Sequence, residues 1–443
     1  LLFHTAYKVE KMILTGFLLV IAAGALLLWI SNNFICEIPL SPLDALFMAT
    51  SGVCVTGLGT VDISTGFGVP SQLVLLALIQ IGGLGFMTAM MTLSIAVGRR
   101  IGIKGRIFFL GGLGVEGVQG AVLLFFVVIR FTALFEALGA AALFAGFLSC
   151  GEGFARAAYF AIFHSISAFC NAGFSPCGGG LQRYATTIAV PAAVMLLITL
   201  GGIGFPVYAE CAQLLKRGPS HRLSVYARLV LVTSGALVAL GALLLAISEW
   251  NGAFAAFPAW AKLWNALFAS VTARTAGFET APSGALTGAG RAVMIMLMII
   301  GASPSSTGGG AKTTTFGVLA ASVWSELHGR SVPSFMNRTI AERAERRAIS
   351  LIAIYLFTIF AASLLLALTE DFPFSSILFE VASALGTVGL TVGITVELST
   401  FGKVVIIVLM FWGRVGIYSF VSTLVKDGGD SGVRYPYTHI PIG

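Results

Sequence analysis

Apolar runs close to the ~20 residues that cross a bilayer as helix recur along the whole chain, at 12–30, 72–97, 229–247 and 348–368. A chain patterned this way folds in lipid. Composition agrees, since 57% of its 443 residues are hydrophobic and only 10% are charged, against about 25% charged in an average soluble protein. Residues 12–30 follow Lys8 and Lys11 as in a signal peptide but outrun its usual apolar core, and are read as a retained first helix.

The net charge of +7 acquires meaning only when sorted by loop, because Lys and Arg near span ends set orientation. Three segments are basic: Arg99, Arg100, Lys104 and Arg106; Lys216, Arg217, Arg222 and Arg228; and Arg330, Arg338, Arg343, Arg346 and Arg347. The alternating loops carry Glu37, Asp44, Asp62, Glu152, Glu249, Glu279, Glu370, Asp371 and Glu397. The basic side is therefore cytoplasmic, and both termini fall on it. Basic residues bordering helix ends, rather than forming one stripe, argue against nucleic-acid binding.

One pattern occurs four times: a long apolar helix, a short apolar segment, a glycine-centred tetrapeptide, then a second helix. The tetrapeptides are Val55-Thr56-Gly57-Leu58, Asn171-Ala172-Gly173-Phe174, Thr275-Ala276-Gly277-Phe278 and Thr387-Val388-Gly389-Leu390, their glycines 116, 104 and 112 residues apart. Second glycine markers begin 25, 28, 24 and 24 residues later, at Gly82, Gly201, Gly301 and Gly413. Segments 43–50, 157–169, 260–271 and 374–385 are too short to span and suit re-entrant half-helices, whose non-helical ends survive at membrane depth only inside protein or along a water-filled cavity. Each would aim a C-terminal end of about −0.5 elementary charge at that cavity, favouring a cation. There a ring of backbone carbonyls replaces the ion's hydration shell, and glycine supplies the required φ > 0 without a side chain to plug the path. The second markers, placed within continuous helices, read as packing or bending glycines.

These motifs resemble those of the Trk/Ktr/HKT potassium-transport superfamily, most closely its Ktr-type membrane subunits. The likeness rests on the four tetrapeptides, Ser167-Ala168, Arg274 before Thr275, Ser383-Ala384, and the run Ser303-Pro304 through Thr307-Gly308-Gly309-Gly310 to Lys312-Thr313. It implies an all-α membrane protein of four M1-P-M2 repeats, at 1–97, 98–216, 217–330 and 331–443, with eight spanning helices and four pore helices around one pseudo-fourfold pore. It further implies an inner-membrane potassium-uptake subunit, sodium-dependent, homodimeric and regulated by a cytosolic nucleotide-binding ring (KtrA-like). The tetrapeptides would be the selectivity filter. Glycine at all four filter positions matches the potassium-selective pattern, whereas plant relatives with serine at the first favour sodium.

Polar residues inside apolar runs complete the candidates. Gly301, Ser303, Pro304, Ser305, Ser306, Thr307, Gly308, Gly309, Gly310, Lys312 and Thr313 interrupt the second helix of repeat three, where lipid exposure would cost several kcal/mol per unpaired backbone group. The resemblance makes this stretch a gating loop below the filter, with Arg414 pairing to it. Arg274 and Glu380 flank the third and fourth filters as supports. Gly310-Ala311-Lys312-Thr313 lacks the Gly-Lys adjacency of a nucleotide P-loop. Six cysteines without CxxC spacing and five scattered histidines offer neither a metal set nor a nucleophile with its base, which disfavours a membrane-embedded enzyme. A secondary transporter of another solute would rather show broken helices with midplane carboxylates.

Overall fold

The computed structural model describes residues 2–85, 118–217, 222–330 and 332–416. The basic segment from Arg99 to Arg106, the second half of the 72–97 run, and the tail from 417 lie outside them. Helices and short connections make up the described chain, apart from one two-residue β-hairpin, Ser334–Phe335 with Arg338–Thr339.

The element order repeats four times. Repeat one has α1 (Leu2–Ile30), α2 (Pro42–Val53) and α3 (Val69–Gly83); repeat two has α4 (Val118–Ser149), α5 (Phe154–Phe169) and the pair α6 (Ala189–Ile203) and α7 (Phe205–Arg217). Repeat three has α8 (Val225–Glu249), α9 (Ala259–Thr272), α10 (Gly288–Ile299) and α11 (Thr313–Leu327); repeat four has α12 (Glu342–Ala367), α13 (Phe374–Gly386) and α14 (Thr400–Val415). Among the described residues four helices are long and apolar enough to cross a membrane, or five counting α6 and α7 as one bent span.

The half-helices α2, α5, α9 and α13 have 12, 16, 14 and 13 residues. At about 1.5 Å per residue none covers the ~30 Å hydrocarbon layer. Pro42 opens α2 at its first turn, and Pro258 and Pro373 are the N-caps of α9 and α13, positions where a missing N–H costs nothing. Each half-helix packs against the long helix before it and buries a phenylalanine: Phe47, Phe163, Phe268 and Phe379 are all 0–1% exposed. These phenylalanines belong to three separate apolar clusters, which anchor the half-helices in the interior.

In the second helices the glycine markers serve both roles read for them, close packing and bending. The helices do not run on through the markers but stop or bend there. α3 ends at Gly83 with Gly85 at φ +79°, α14 ends before Gly416 at φ +95°, and α6 turns into α7 by 96° at Gly204, φ +100°. Three residues before each break sits a packing glycine. A methyl group on Gly82, Gly201 or Gly413 would overlap the last carbonyl of the neighbouring half-helix, at Val53, Phe169 and Leu385 respectively. The two glycines thus divide the roles: one admits the half-helix and the other ends or bends the helix.

Two acidic residues used as topology markers also have structural work. Glu249 at the end of α8 accepts hydrogen bonds from the backbone N–H (3.1 Å) and hydroxyl (2.6 Å) of Thr287, the N-cap of α10. Glu370 after α12 does the same for Ser399, the N-cap of α14, accepting from its N–H at 3.1 Å and from its hydroxyl. Each clasps the end of one helix to the start of the next.

Candidate functional site

The four tetrapeptides follow the C-terminal ends of the half-helices and share one backbone construction. The N–H of the second residue donates to a carbonyl in the last turn of the half-helix: Thr56 to Ser51 (2.8 Å), Ala172 to Ser167 (2.8 Å), Ala276 to Thr272 (2.9 Å) and Val388 to Ser383 (2.8 Å). The hydroxyls of the same four residues then brace the turn. Gly57 N–H donates to Ser51 and Gly389 N–H to Ser383, both at 3.1 Å, while Ser167 and Thr272 donate to the carbonyls of Phe174 and Phe278 at 2.8 Å. Sequence reading marked Ser167 and Ser383 but missed Ser51 and Thr272. Their common offset of five or six residues before the filter glycine was the available signal.

Backbone handedness alternates within each turn. The first residues, Val55, Asn171, Thr275 and Thr387, lie at φ +54°, +59°, +70° and +50°, and the glycines at +98°, +70°, +76° and +92°. In each turn the two left-handed positions are separated by one residue of negative φ. A β-branched residue such as Val55 rarely adopts φ > 0, and such strain costs about 1–3 kcal/mol per residue. The buried half-helices and the hydroxyl braces over-determine it.

The turns close on one another. A Cβ on Gly57 would meet the Ala172 carbonyl at 2.5 Å, and one on Gly173 the Ala276 carbonyl at 2.7 Å. Likewise a Cβ on Gly277 would overlap the Val388 carbonyl, and one on Gly389 the Thr56 carbonyl. Each glycine faces the residue preceding the next repeat's glycine, and the fourth returns to the first. The result is a ring of glycine and carbonyl. On one side it opens to a chamber of about 270 Å³ bordered by all four glycines together with Asp62, Glu279 and Thr391.

On the other side lies the interrupting segment of repeat three. Ile300 pairs with Ala311, and the loop between them is tied to repeat two: Ser303 and Thr307 N–H donate to the carbonyls of Gly202 and Gly201 (3.0 and 3.2 Å), and Phe205 N–H donates to Ser305 (2.9 Å). Thr307 hydroxyl reaches the Phe169 carbonyl at 2.9 Å, and Ser303 and Thr313 hydroxyls meet at 3.0 Å. Pro304 carbonyl accepts from Tyr226 at 3.3 Å. Gly310 at φ +68° and Ser305 at +55° make the sharp bends. Gly308 and Gly309 press against the hydroxyls of Thr275 and Thr387, leaving no room for a methyl group. Asn171 and Thr275 side chains share a hydrogen bond of 3.3 Å beside them.

Two cationic side chains converge on this loop. Lys312 Nζ donates to the carbonyls of Gly308 (2.9 Å) and Gly309 (3.3 Å). Arg414, near the end of α14, donates to Thr307 carbonyl, and to Gly82 and Gly83 carbonyls where α3 ends. The structure brings the loop, Arg414 and three repeats into one contact. The supports flanking the filters are placed differently from each other. Glu380 accepts from Thr391 hydroxyl, Val392 N–H (3.2 Å) and Thr395 hydroxyl (3.0 Å), bracing the segment that leaves the fourth turn. Arg274 points away from the ring into α8, donating to Ser234 hydroxyl at 3.1 Å. His164 donates or accepts locally, with Phe160 carbonyl at 2.7 Å and Ser175 hydroxyl at 2.9 Å, and is a packing residue.

Long apolar helices, each followed by a short half-helix that ends in a left-handed glycine turn, define a multi-span membrane protein. The chain belongs to the TrkH cation transport protein family, whose family model matches residues 6–428. It is a multi-pass membrane transporter and not an enzyme. Among its relatives, the Ktr system potassium uptake protein B of Bacillus subtilis is 37% identical, covering 95% of this chain and 94% of its own. The potassium/sodium uptake protein NtpJ of Enterococcus hirae is 35% identical over 98% of this chain and 97% of its own. The crystal structure of the potassium transporter TrkH from Vibrio parahaemolyticus shares the fold, with a TM-score of 0.67 and 20% identity over 93% of this chain and 84% of that one.

Proposed function

We propose that the chain takes up potassium through the glycine and carbonyl ring, which acts as a selectivity filter at the centre of four M1-P-M2 repeats (1–97, 98–216, 217–330 and 331–443) with eight spanning helices. The observation that carries this reading is the ring's closure in chain order, each glycine facing the next repeat's carbonyl. Carbonyl oxygens from four walls replace water around a cation, and the aligned half-helix ends favour its charge. The relatives' names, with potassium in both, support the substrate.

The loop from Gly301 to Thr313 and Arg414 form the gate. A cation passing within about 4 Å of a like unit charge meets roughly 4 kcal/mol at an effective dielectric of 20. A membrane potential of 100 mV supplies about 2.3 kcal/mol. Inward flow therefore requires the loop and its charges to move aside. Basic loops inside set an inner-membrane orientation with both termini cytoplasmic. The word system in the name of the B. subtilis relative supports a multi-part assembly, here a homodimer with a cytosolic nucleotide-binding ring (KtrA-like), and uptake is sodium-dependent.

Rescue of growth at low potassium in a strain lacking potassium uptake tests the reading, with failure of the wild type counting against it. Gly277→Ser places a side chain against Gly173 and Gly389 Cα at 3.2 Å, and lowers potassium-over-sodium selectivity at least tenfold in competition uptake assays. Unchanged selectivity would remove the filter assignment. A second reading, that sodium itself passes, is favoured by the printed name of the E. hirae relative, and the same competition assay decides it.

A further inference from the structure

Two helices, α7 of repeat two and α8 of repeat three, meet the loop at the same spot. Where α7 leaves α6 at the 96° bend, Phe205 N–H donates to the Ser305 carbonyl at 2.9 Å, and a Cβ on Gly204 would meet the Pro304 carbonyl at 2.6 Å. In the first turn of α8 the Tyr226 hydroxyl donates to that same Pro304 carbonyl at 3.3 Å. Farther along α8, a Cβ on Gly317 of α11 would come within 2.9 Å of the Thr233 hydroxyl and 3.0 Å of Leu229. α11 begins at Thr313, where the loop ends, so α8 meets the chain near the start of the loop and just beyond its end. The two helices are also fastened to each other. Both carboxylate oxygens of Glu210, on α7, accept from Ser224, one from its N–H at 2.8 Å and the other from its hydroxyl at 2.7 Å. Ser224 is the N-cap of α8. Beside this clasp Val207, Ala227 and Val230 form a small buried apolar cluster, with Tyr226 packed against it.

We propose, resting on the gate reading given above, that Tyr226 and Glu210 are positioning residues of the gate: the Tyr226 hydroxyl keeps the loop in its blocking position at Pro304, and Glu210 acts through Tyr226 by fixing the start of α8. Like Arg414, Tyr226 reaches the loop from outside it with a side chain, so its bond is released by a small tilt of α8 and no backbone ladder has to open. Unlike Arg414 it bears no charge, and what it contributes is position alone. Glu210 works at one remove. It holds Ser224, Ser224 starts α8, and the placement of that first turn sets the reach of Tyr226 two residues on. The clasp is exposed while the apolar cluster beside it is buried, and on the orientation proposed above its connection, with Lys216, Arg217 and Arg222, faces the cytoplasm. A shift of α7 against α8 made on that face is thereby carried to Pro304.

Initial rates of potassium uptake in cells lacking other uptake systems, expressed per molecule of protein in the membrane as measured by blot, test this linkage. Tyr226→Phe keeps the ring in the apolar cluster and removes only the hydroxyl. Its maximal rate rises about threefold, the shift that one hydrogen bond of ordinary net strength produces. Half-saturating potassium and potassium-over-sodium selectivity stay at wild-type values, because no filter turn is touched. Glu210→Ala raises the maximal rate in the same way, and the double variant is no faster than Tyr226→Phe alone, because Glu210 works through the tyrosine. An unchanged or lower maximal rate for Tyr226→Phe, or an altered half-saturation or selectivity, overturns the proposal. Increases that multiply in the double variant overturn the route from Glu210 through Tyr226. Arg414→Ala is the control for the gate itself. If it raises flux and Tyr226→Phe does not, the positioning role alone falls; if neither raises flux, the gate reading falls with it.

Discussion

Arg414 is the residue whose surroundings say most about control. Among the described residues its guanidinium bonds to the carbonyls of Thr307, Gly82 and Gly83, so it holds a polar loop against a helix end while keeping its own charge beneath the ring. Arg414→Ala removes both effects. Basal potassium flux in the variant rises at least fivefold over wild type in uptake assays, and a fall in flux would show that Arg414 serves assembly rather than closure. Ser51 offers a contrasting case, since it bears no charge and its hydroxyl accepts from Gly57 N–H at 3.1 Å. Ser51→Ala leaves that N–H unpaired at about 1–3 kcal/mol. Potassium-over-sodium selectivity falls severalfold with little change in protein abundance, which parallel competition assays and membrane blots check. The four ring glycines were readable from sequence as a repeated marker, and a Cβ at any of them would meet the neighbouring turn. The left-handed conformation of Val55 was not, because a β-branched residue argues locally against it and only the closed ring imposes it.

At the scale of elements, the half-helices announced themselves by length, and the structure sets their bounds within a few residues of the apolar segments. The second helices were harder to read. Hydropathy runs straight through Gly82 and Gly201, and nothing in a windowed pattern separates a glycine that admits a neighbour from one at φ > 0 that ends the helix. The spacing of three between Gly82 and Gly85, Gly201 and Gly204, and Gly413 and Gly416 carried that information, and Pro304 occupies the matching position after Gly301. The loop of repeat three was legible as an interruption, but its attachment to repeat two through Gly201 and Gly202 was not, because those contacts are backbone to backbone. Its fit beneath the filter depends on having no side chain at Gly309, which presses on Thr387. Gly309→Val wedges the loop against the fourth turn and reduces potassium uptake at least tenfold, with normal membrane insertion confirmed by blot; uptake within twofold of wild type would mean the loop has room to spare.

For the whole molecule, repeat four meets repeat one at three depths. Lys403 Nζ lies 2.9 Å from Asp44 at the start of α2, Gly389 meets Thr56 in the ring, and Arg414 reaches Gly82 and Gly83 beyond it. The outermost of these is testable without touching the filter. Reversing either charge, Asp44→Lys or Lys403→Asp, lowers the melting temperature of the purified protein by several degrees, and the double reversal recovers at least half the loss. Additive losses would mean the pair contributes nothing to closure.

Because all three contacts wait on residues beyond 388, their absence leaves the ring incomplete for as long as the last quarter is still being synthesised. A nascent chain with three repeats in the bilayer has turns in place but no fourth wall, and thus no enclosed conduit through which the cell could lose ions. The final repeat delivers the missing wall and the arginine that latches the loop in a single insertion step. On the proposed function, the passage and its closure come into being together.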